Sequence, residues 1–398
     1  MTTVREQLVD QIVGAPLSAA AMLAAAERAT GLSDWGDDGF RRPLELLLTD
    51  LNTEAKLHEM GVRRAHRRLH DVLCSRLQLI ADRKHFPGIA AEPIQQPIFV
   101  IGLPRSGTTF FHNLLARDPH NRAPLAWEIM YPSPPPERAT HDRDPRIERA
   151  REAMMFEGFM APELQAIHPF DAERPEECNF LWETSLWSVN FMAFWHVPNY
   201  TRALYEHDFR GVYREHRASL QQLQHYYRAD RWVLKTAAHM QWLDALFAIY
   251  PDALMVQCHR DPAKVLASIS KNLAVWRRTF SDFVPRGDFG LLEAQAKGLE
   301  RVANFRAQPQ FKDRFVDAHY LDVQEDPMAV VRQVYRHFGL PLSAESEAAM
   351  THWLRIDRAE HDRGPRHVYT LEDYDLDVDK VDRVFGEYIR SSDVQLER

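Results

Sequence analysis

Residues 98–109, Ile-Phe-Val-Ile-Gly-Leu-Pro-Arg-Ser-Gly-Thr-Thr, place an apolar, β-branched segment directly before a glycine-containing loop. In a nucleoside-triphosphate loop, G-x-x-x-x-G-K-[ST], the lysine contacts the β- and γ-phosphates and the hydroxyl binds magnesium. Here Gly102 and Gly107 keep the glycine spacing and Thr109 keeps the hydroxyl, but Thr108 stands at the lysine position. Backbone N–H groups at a helix N-terminus can still hold a phosphate. The missing lysine therefore indicates a phosphate-bearing donor other than a nucleoside triphosphate.

The residues after this loop predict a helix. Phe110, Phe111, Leu114 and Leu115 recur at helical spacing, and Asp118-Pro119 marks the end of the helix. The segment is thus a strand–loop–helix unit. The alternative is an ordinary strand–turn–helix joint with a glycine at a positive φ angle.

A second strand and helix repeat this arrangement. Residues 253–260, Ala-Leu-Met-Val-Gln-Cys-His-Arg, form an apolar strand that ends in Arg260, and Asp261-Pro262 is a helix-start signature. Ser268 lies about two helical turns further on. An arginine fork and a serine hydroxyl so placed can hold one phosphate. The alternative is an arginine that caps its sheet edge beside a solvated serine.

Two phosphate sites on one open sheet fit a nucleotide with phosphates at both ends of its ribose. At this point the chain resembles the sulfotransferases that use 3′-phosphoadenosine 5′-phosphosulfate (PAPS), in the bacterial branch whose loop carries arginine. Their 5′-phosphosulfate loop is similar to residues 104–109, and their 3′-phosphate arginine and serine match Arg260 and Ser268. The resemblance extends from about Gly31 to Tyr388. Further matching stretches are Trp127-Glu128, Arg174-Pro175-Glu176-Glu177, Val233-Leu234-Lys235 with His239, and Phe338-Gly339-Leu340-Pro341.

The resemblance implies PAPS as donor, no metal, and a defined set of donor-binding residues. These are Arg105, Ser106, Gly107, Thr108, Thr109, Arg260, Ser268 and Tyr320. Arg105 and Lys235 are expected to offset the charge that develops on the bridging oxygen. The sequence departs from the family at Ala237, where a proline is expected.

A base for the acceptor hydroxyl is predicted at Glu128, because the neighbouring Trp127 would raise its pKa. His239 and His168 are the alternatives that the resemblance implies, since imidazole is the base in the cytosolic small-molecule enzymes of this superfamily. The carboxylates of residues 174–177 are expected to form a structural ion pair instead.

The predicted fold is α/β, with a P-loop-like central parallel sheet flanked by helices. Residues 1–94 form an N-terminal helical region, and residues 95–398 form the sulfotransferase domain with a helical insertion, a lid over the acceptor, at about 147–228. Further strands are predicted near 232–234 and 314–320. In the N-terminal region, the arginines at 63, 64, 67 and 68 are expected to form a solvated helix face; contact with nucleic acid or membrane is the alternative.

Composition narrows the class of protein. The 398-residue chain has a net charge of −8, which argues against a general nucleic-acid binder. Its three scattered cysteines fit neither a disulfide framework nor a zinc site, so a reducing, cytoplasmic setting is predicted. The polar start of the sequence is not typical of a targeting segment, and no apolar run is long enough to predict a transmembrane helix; peripheral membrane contact is the alternative.

Aromatic residues crowd the segment 180–200, and some are expected to line an apolar acceptor cleft. The acceptor is therefore predicted to be a lipid, terpenoid, sterol or phenol hydroxyl rather than a polyanionic sugar. A sulfotransferase is the leading hypothesis for the function. The alternatives are a kinase-like phosphotransferase whose lysine comes from elsewhere in the chain, and a nucleotide-binding module without catalysis. The sequence does not predict the oligomeric state.

Overall fold

The computed structural model describes residues 16–160, 171–284, 291–361 and 371–397, without the side chains of 156–160 and 358–361. Its centre is a five-stranded sheet in the order β2-β3-β1-β4-β5, in which every pairing is parallel. The strands are β1 (Ile98–Gly102), β2 (Asn121–Arg122), β3 (Arg231–Lys235), β4 (Leu254–His259) and β5 (Phe315–His319). The predicted α/β class is confirmed. The two-residue edge strand β2 was not predicted, because it is too short to show an alternating pattern.

Helices surround this sheet and make up most of the remaining structure. The α-helices of the described ranges are α1 (Ala19–Thr30), α2 (Arg41–Thr53), α3 (Glu59–His85), α4 (Thr108–Leu115), α5 (Ala126–Met130), α6 (Pro145–Met160), α7 (Val189–Phe194), α8 (Pro198–Glu206), α9 (Arg210–Gln224), α10 (Leu243–Ile249), α11 (Pro262–Arg278), α12 (Leu291–Arg306), α13 (Tyr320–Glu325), α14 (Pro327–His337), α15 (Ala344–His361) and α16 (Val378–Ser391). Short 3₁₀ helices span Asp38–Phe40, Pro87–Ala91, Arg138–Arg143, Cys178–Ser185, Ala237–Gln241, Pro309–Arg314 and Glu372–Tyr374.

The two faces of the sheet pack into separate hydrophobic cores because successive strand residues point to opposite sides. From β1, Phe99 and Ile101 enter the larger core with residues of α3, α9 and α11. Ile98 and Val100 enter the smaller core, where residues of α4 and α14 cover them. All five residues of β1 are buried, as expected for a central strand of a parallel sheet.

The two helices that follow β1 and β4 begin as the sequence predicts. Gly107 precedes α4 with a φ angle of 87°, a conformation that favours glycine. Before α11, the Asp261 side chain accepts a hydrogen bond from the Ala263 N–H at 3.0 Å, and Pro262 occupies the first helical turn. Both helix N-termini therefore lie at the carboxyl edge of the sheet, which is where ligands bind in open parallel sheets.

Within the described ranges, none of the helices combines the length and the apolar character that a membrane span requires.

Candidate functional site

A cavity of about 1740 Å³ opens at the carboxyl ends of the strands. Its wall includes four residues that directly follow or lie just beyond strands β1, β3, β4 and β5: Arg105, Thr236, Arg260 and Tyr320. The predicted phosphate loop and the second predicted phosphate site therefore belong to one cavity.

The loop after β1 has a backbone shape that depends on its glycines. A Cβ atom on Gly102 would lie 2.3 Å from the Cys258 carbonyl oxygen, and one on Gly107 would lie 3.1 Å from the Tyr320 ring. Ser106 stabilises the turn from within, since its N–H (3.2 Å) and its hydroxyl (2.6 Å) both donate to the Leu103 carbonyl oxygen. Ser106 thus stabilises the loop from within, and its contact with a bound donor stays a prediction. The first N–H groups of α4 have no acceptor within the helix by position.

Arg105, Arg260 and Ser268 come together beside this loop. The Arg105 Nε donates to the Ser268 hydroxyl at 3.1 Å, and the Arg260 Nη1 donates to the Arg105 carbonyl oxygen at 2.9 Å. The Arg260 guanidinium also stacks over the Tyr320 ring, 3.8 Å from its centroid. These predicted donor-binding residues are therefore adjacent in space. The Arg105 Nε is directed to Ser268 of α11, and the catalytic role of Arg105 stays a prediction.

The Arg260 guanidinium holds a carboxylate from the end of the chain. Its Nε and Nη2 donate to the two oxygens of Glu397 at 2.7 and 2.9 Å, a bidentate pair. The Glu397 N–H donates to Asp261 Oδ2 at 3.0 Å, which fixes the segment against the start of α11. The Arg260 guanidinium is thus aligned to bind an oxyanion, and in the structure the carboxylate of Glu397 occupies this position. Sequence spacing gave no sign of this contact.

Lys235, at the end of β3, lies on the other side of the loop. Its Nζ donates to the Thr109 hydroxyl at 3.1 Å and to Glu177 Oε1 at 2.6 Å. The Lys235 side chain is 3% exposed, whereas that of Glu177 is 32% exposed and lines the cavity. A carboxylate, an ammonium and a hydroxyl therefore meet at the phosphate loop. The ion pair predicted for residues 174–177 is present, but its position at the cavity wall makes Glu177 a candidate base.

The predicted base, Glu128, lies outside this group. It is fully buried, pairs with Arg122 and with His141 (3.0 Å), and accepts a hydrogen bond from the Leu125 N–H at 3.0 Å. Burial by itself would raise the pKa of Glu128, but the Arg122 and His141 charges outweigh it and hold this pKa below its ordinary value. A buried carboxylate held in this way cannot reach an acceptor in the cavity, which corrects the prediction.

His239 is also unsuited to the predicted role. It is fully buried, with Nδ1 2.7 Å from the Tyr213 hydroxyl and Nε2 3.2 Å from Cys178 Sγ. Burial, with a smaller contribution from His216, lowers the pKa of His239 well below its ordinary value. The other alternative, His168, lies outside the described residues. The turn that leads to His239 forms without the expected proline, because the Thr236 hydroxyl caps it by accepting from the Ala238 N–H at 3.3 Å.

One set of residues in the cavity wall is apolar and aromatic. This set includes Phe180, Val189, Met192, Phe194, Ile269, Leu273, Trp276 and Phe280. Other aromatics of segment 180–200, such as Trp182 and Trp195, are buried core residues instead. The expectation that only part of this segment lines a cleft agrees with the structure.

The arginine face of α3 is placed differently from its prediction. Arg63, Arg64, Arg67 and Arg68 all line the cavity, and Arg64 is only 7% exposed. Of the other three, Arg67 is exposed, and Arg63 and Arg68 are half-buried. These arginines therefore contribute to the wall of the cavity instead of forming a face in open solvent.

Solved structures of two mycobacterial proteins share this architecture. The sulfotransferase STF1 from Mycobacterium tuberculosis H37Rv is 34% identical, with a TM-score of 0.83 over 94% of this chain and 99% of that one. The sulfotransferase STF9 from Mycobacterium avium is 28% identical, with a TM-score of 0.86 over 96% and 98% of the two chains. Among curated proteins, the omega-hydroxy-beta-dihydromenaquinone-9 sulfotransferase Stf3 of Mycobacterium bovis is 24% identical over 293 residues, 66% of this chain and 67% of the relative.

A model of the sulfotransferase family matches residues 97–344, which is more than half of the chain. The matched region begins just before β1, passes through the phosphate loop, Glu177, Lys235, Arg260 and Ser268, and ends at the start of α15. Because the family match and the cavity coincide in these residues, the chain belongs to the sulfotransferase family.

Proposed function

We propose that this sulfotransferase moves a sulfuryl group from PAPS to the hydroxyl of a lipophilic small molecule. The observation that carries the proposal is a single cavity that contains the phosphate loop, the Arg260 group, the Lys235–Glu177 pair and an aromatic wall. The kinase-like and non-catalytic alternatives have no comparable support, because the chain belongs to a family of sulfuryl transferases and the loop has no lysine.

The residues around the loop fit a nucleotide with two separate phosphate groups. The N–H groups at the start of α4, with Thr108 and Thr109, would hold the 5′-phosphosulfate. Arg260, Ser268 and Arg105 would hold the 3′-phosphate, with Tyr320 supporting the Arg260 guanidinium. Arg260 already binds a carboxylate in bidentate geometry, so a phosphate would take the place of Glu397.

Lys235 and Glu177 are suited to the transfer step. The acceptor oxygen forms a bond to sulfur while the bond from sulfur to the bridging phosphate oxygen breaks. Glu177 takes the proton of the acceptor hydroxyl, and Lys235 offsets the negative charge that develops on the leaving phosphate oxygen. In the structure the two side chains pair with each other at 2.6 Å. Lys235 would exchange this contact for the phosphate oxygen, which leaves the carboxylate available to the hydroxyl.

The aromatic wall supports a lipophilic acceptor. Apolar side chains from the segment 180–194 and from α11 line the same cavity as Glu177. The name of the relative Stf3 gives a hydroxylated dihydromenaquinone as the acceptor of that protein. A lipophilic alcohol of this general kind fits the cavity described here.

Calorimetry with two nucleotides tests the donor assignment. In Arg260→Ala, binding of adenosine 3′,5′-bisphosphate should weaken by roughly 30-fold, since a charge-assisted bidentate contact contributes about 2 kcal/mol. Adenosine 5′-phosphate, which has no 3′-phosphate, should bind the variant and the wild type about equally. Arg210→Ala is the control, because Arg210 is exposed and pairs locally with Asp208. Equal weakening of both nucleotides would remove Arg260 from the 3′ site.

Turnover with labelled PAPS and a panel of lipophilic alcohols tests the reaction itself. Label should move from the donor to at least one alcohol in the wild type. Transfer of a phosphoryl group from ATP, with no transfer from PAPS, would overturn the proposal.

A further inference from the structure

Glu177 and Lys235 lie on two chain segments that also meet on the side facing the core. One segment carries Glu177 and Cys178, and the other carries Lys235 and, four residues later, His239. On the cavity side, the Lys235 Nζ donates to Glu177 Oε1 at 2.6 Å. On the core side, the Cys178 Sγ lies 3.2 Å from the His239 Nε2. Both contacts join the same two segments, and the transfer step proposed above uses only the first.

The backbone at Glu177 explains why neighbouring side chains reach opposite sides. Glu177 has extended φ and ψ angles of −65° and 127° and directly precedes the 3₁₀ helix Cys178–Ser185. In extended backbone, successive side chains point in opposite directions. The Glu177 side chain is 32% exposed and lines the cavity, whereas Cys178 is fully buried. A displacement of Cys178 would therefore move Glu177 as well, because the two share one short stretch of backbone.

His239 is a rigid point of attachment for Cys178. Its Nδ1 lies 2.7 Å from the Tyr213 hydroxyl, so both ring nitrogens have a partner. The Phe99 and Trp182 rings contact the imidazole in T-shaped geometry, with centroids 4.9 and 5.3 Å away. These neighbours come from β1, from the 3₁₀ helix after Glu177 and from α9, so the imidazole is held by three separate elements.

Burial keeps the Cys178, His239 and Tyr213 side chains uncharged. It raises the pKa of the Cys178 thiol and of the Tyr213 hydroxyl, and it lowers the pKa of the His239 imidazole. All three residues are fully buried, so they do not exchange protons with an acceptor in the cavity. Their influence on the reaction would come from the position of the residues attached to them.

The transfer step, as proposed, removes the contact on the cavity side. Lys235 exchanges Glu177 for the bridging phosphate oxygen, and the ion pair that holds the carboxylate is lost. The contact between Cys178 and His239 is unaffected by this exchange, because it lies in the core. Such a contact matters for the rate, since a misplacement of about 1 Å at a reacting group can cost roughly 10²-fold.

We infer that Cys178 and His239 are positioning residues, which hold Glu177 in place for the acceptor hydroxyl after Lys235 has turned to the donor. The inference rests on the proposed function and deepens it, because it assigns a role in the reaction to two residues that touch neither donor nor acceptor. It gives His239 a role other than that of the base.

Two substitutions of His239 separate its contact with Cys178 from the packing of its ring. The amide of glutamine can take the place of Nε2, and the amide of asparagine can take the place of Nδ1, while both remove the ring. His239→Gln should therefore keep the contact and retain kcat within about threefold, whereas His239→Asn should lose about tenfold. His216→Asn is the matched control, because His216 is also fully buried and contacts the Tyr250 hydroxyl through Nδ1 at 2.7 Å. This control should retain most of kcat.

A double-variant cycle decides whether Cys178 acts through Glu177. The measurement is kcat per folded molecule with labelled PAPS and 1-dodecanol, with calorimetry for adenosine 3′,5′-bisphosphate. Cys178→Ala should lower kcat about tenfold in the wild-type background and leave nucleotide affinity unchanged. In Glu177→Gln protein the proposed base is already absent, so the same substitution should change the remaining rate by less than about twofold.

A residue that merely stabilises the fold would behave differently in this cycle. Equal fold losses of kcat from Cys178→Ala in both backgrounds would overturn the inference, as would a normal kcat of Cys178→Ala in the wild-type background. Equal losses in His239→Gln and His239→Asn would also contradict it. If a His239 variant does not fold, the cycle with Cys178 still decides. With sulfuryl transfer by the wild type, each of these contrary results would leave the proposed function intact.

Discussion

Two carboxylates, Glu128 and Glu177, differ in how completely the protein itself occupies their oxygens. Glu128 is fully buried, and Arg122, His141 and the Leu125 N–H occupy its oxygens. Among the residues that the structure describes, the cation paired with Glu177 is Lys235, and about a third of the Glu177 side chain is exposed at the cavity wall. A carboxylate whose hydrogen-bonding positions are all used within the protein stabilises the fold. A carboxylate paired with a single cation at a cavity wall can exchange that partner during a reaction.

The largest expected effect is the loss of turnover in Glu177→Gln. The amide keeps the shape but cannot accept the hydroxyl proton, so kcat should fall roughly 10²-fold or more while nucleotide affinity is preserved. Glu176→Gln is the matched control on the same wall and should retain most of the turnover. The measurement is steady-state transfer of labelled sulfate, with calorimetry for the nucleotide. Near-normal kcat in Glu177→Gln would transfer the role of base to another group.

The second effect distinguishes Glu128 from Glu177 by the contribution of Glu128 to the stability of the fold. Glu128→Gln removes the partner of a buried arginine, so the free energy of unfolding should fall by about 3–5 kcal/mol. Activity per folded molecule should stay near that of the wild type. Chemical denaturation measures the first quantity, and Arg122→Gln with the double variant supplies a thermodynamic cycle. Additive losses in that cycle would contradict a coupled ion pair.

A third, smaller effect is the pH dependence of this pair. Because the pKa of Glu128 is lower in the folded state, its contribution to stability is complete above the unfolded value of about 4.3 and is lost as pH falls through the folded value. The difference in unfolding free energy between wild type and Glu128→Gln should therefore be largest at neutral pH and shrink below about pH 4. A difference that grows on acidification would contradict the direction of the pKa shift.

The smallest effect concerns a third carboxylate, Glu397, which competes for Arg260. Since a partly exposed ion pair contributes at most about 1 kcal/mol, Glu397→Gln should tighten the binding of adenosine 3′,5′-bisphosphate about two- to fivefold. Adenosine 5′-phosphate should be unaffected. Glu387→Gln, an exposed change in α16, is the control. Weaker bisphosphate binding in Glu397→Gln would mean that Glu397 supports the site instead of competing with its ligand.

Local sequence patterns were sufficient for the central elements of the fold. The strand–loop–helix at 98–115 and the Asp261-Pro262 helix start depend on apolar strands, a glycine with positive φ and an N-cap, which act over a few residues. The parallel order of the strands follows from their alternation with helices. For the same reason, Arg260 and Ser268 could be placed beside the loop.

The roles of single charged residues were decided only by the tertiary structure. Nothing in local spacing separates Glu128, enclosed by Arg122 and His141, from Glu177, which opens to the cavity. The arginines of α3 have the same spacing whether their face meets water or a cavity, and the pairing of Arg260 with Glu397 joins positions 137 residues apart. Periodicity reports which side chains share a face, because it arises from backbone geometry. Burial and partner depend on the elements that pack against that face, and these come from distant parts of the chain.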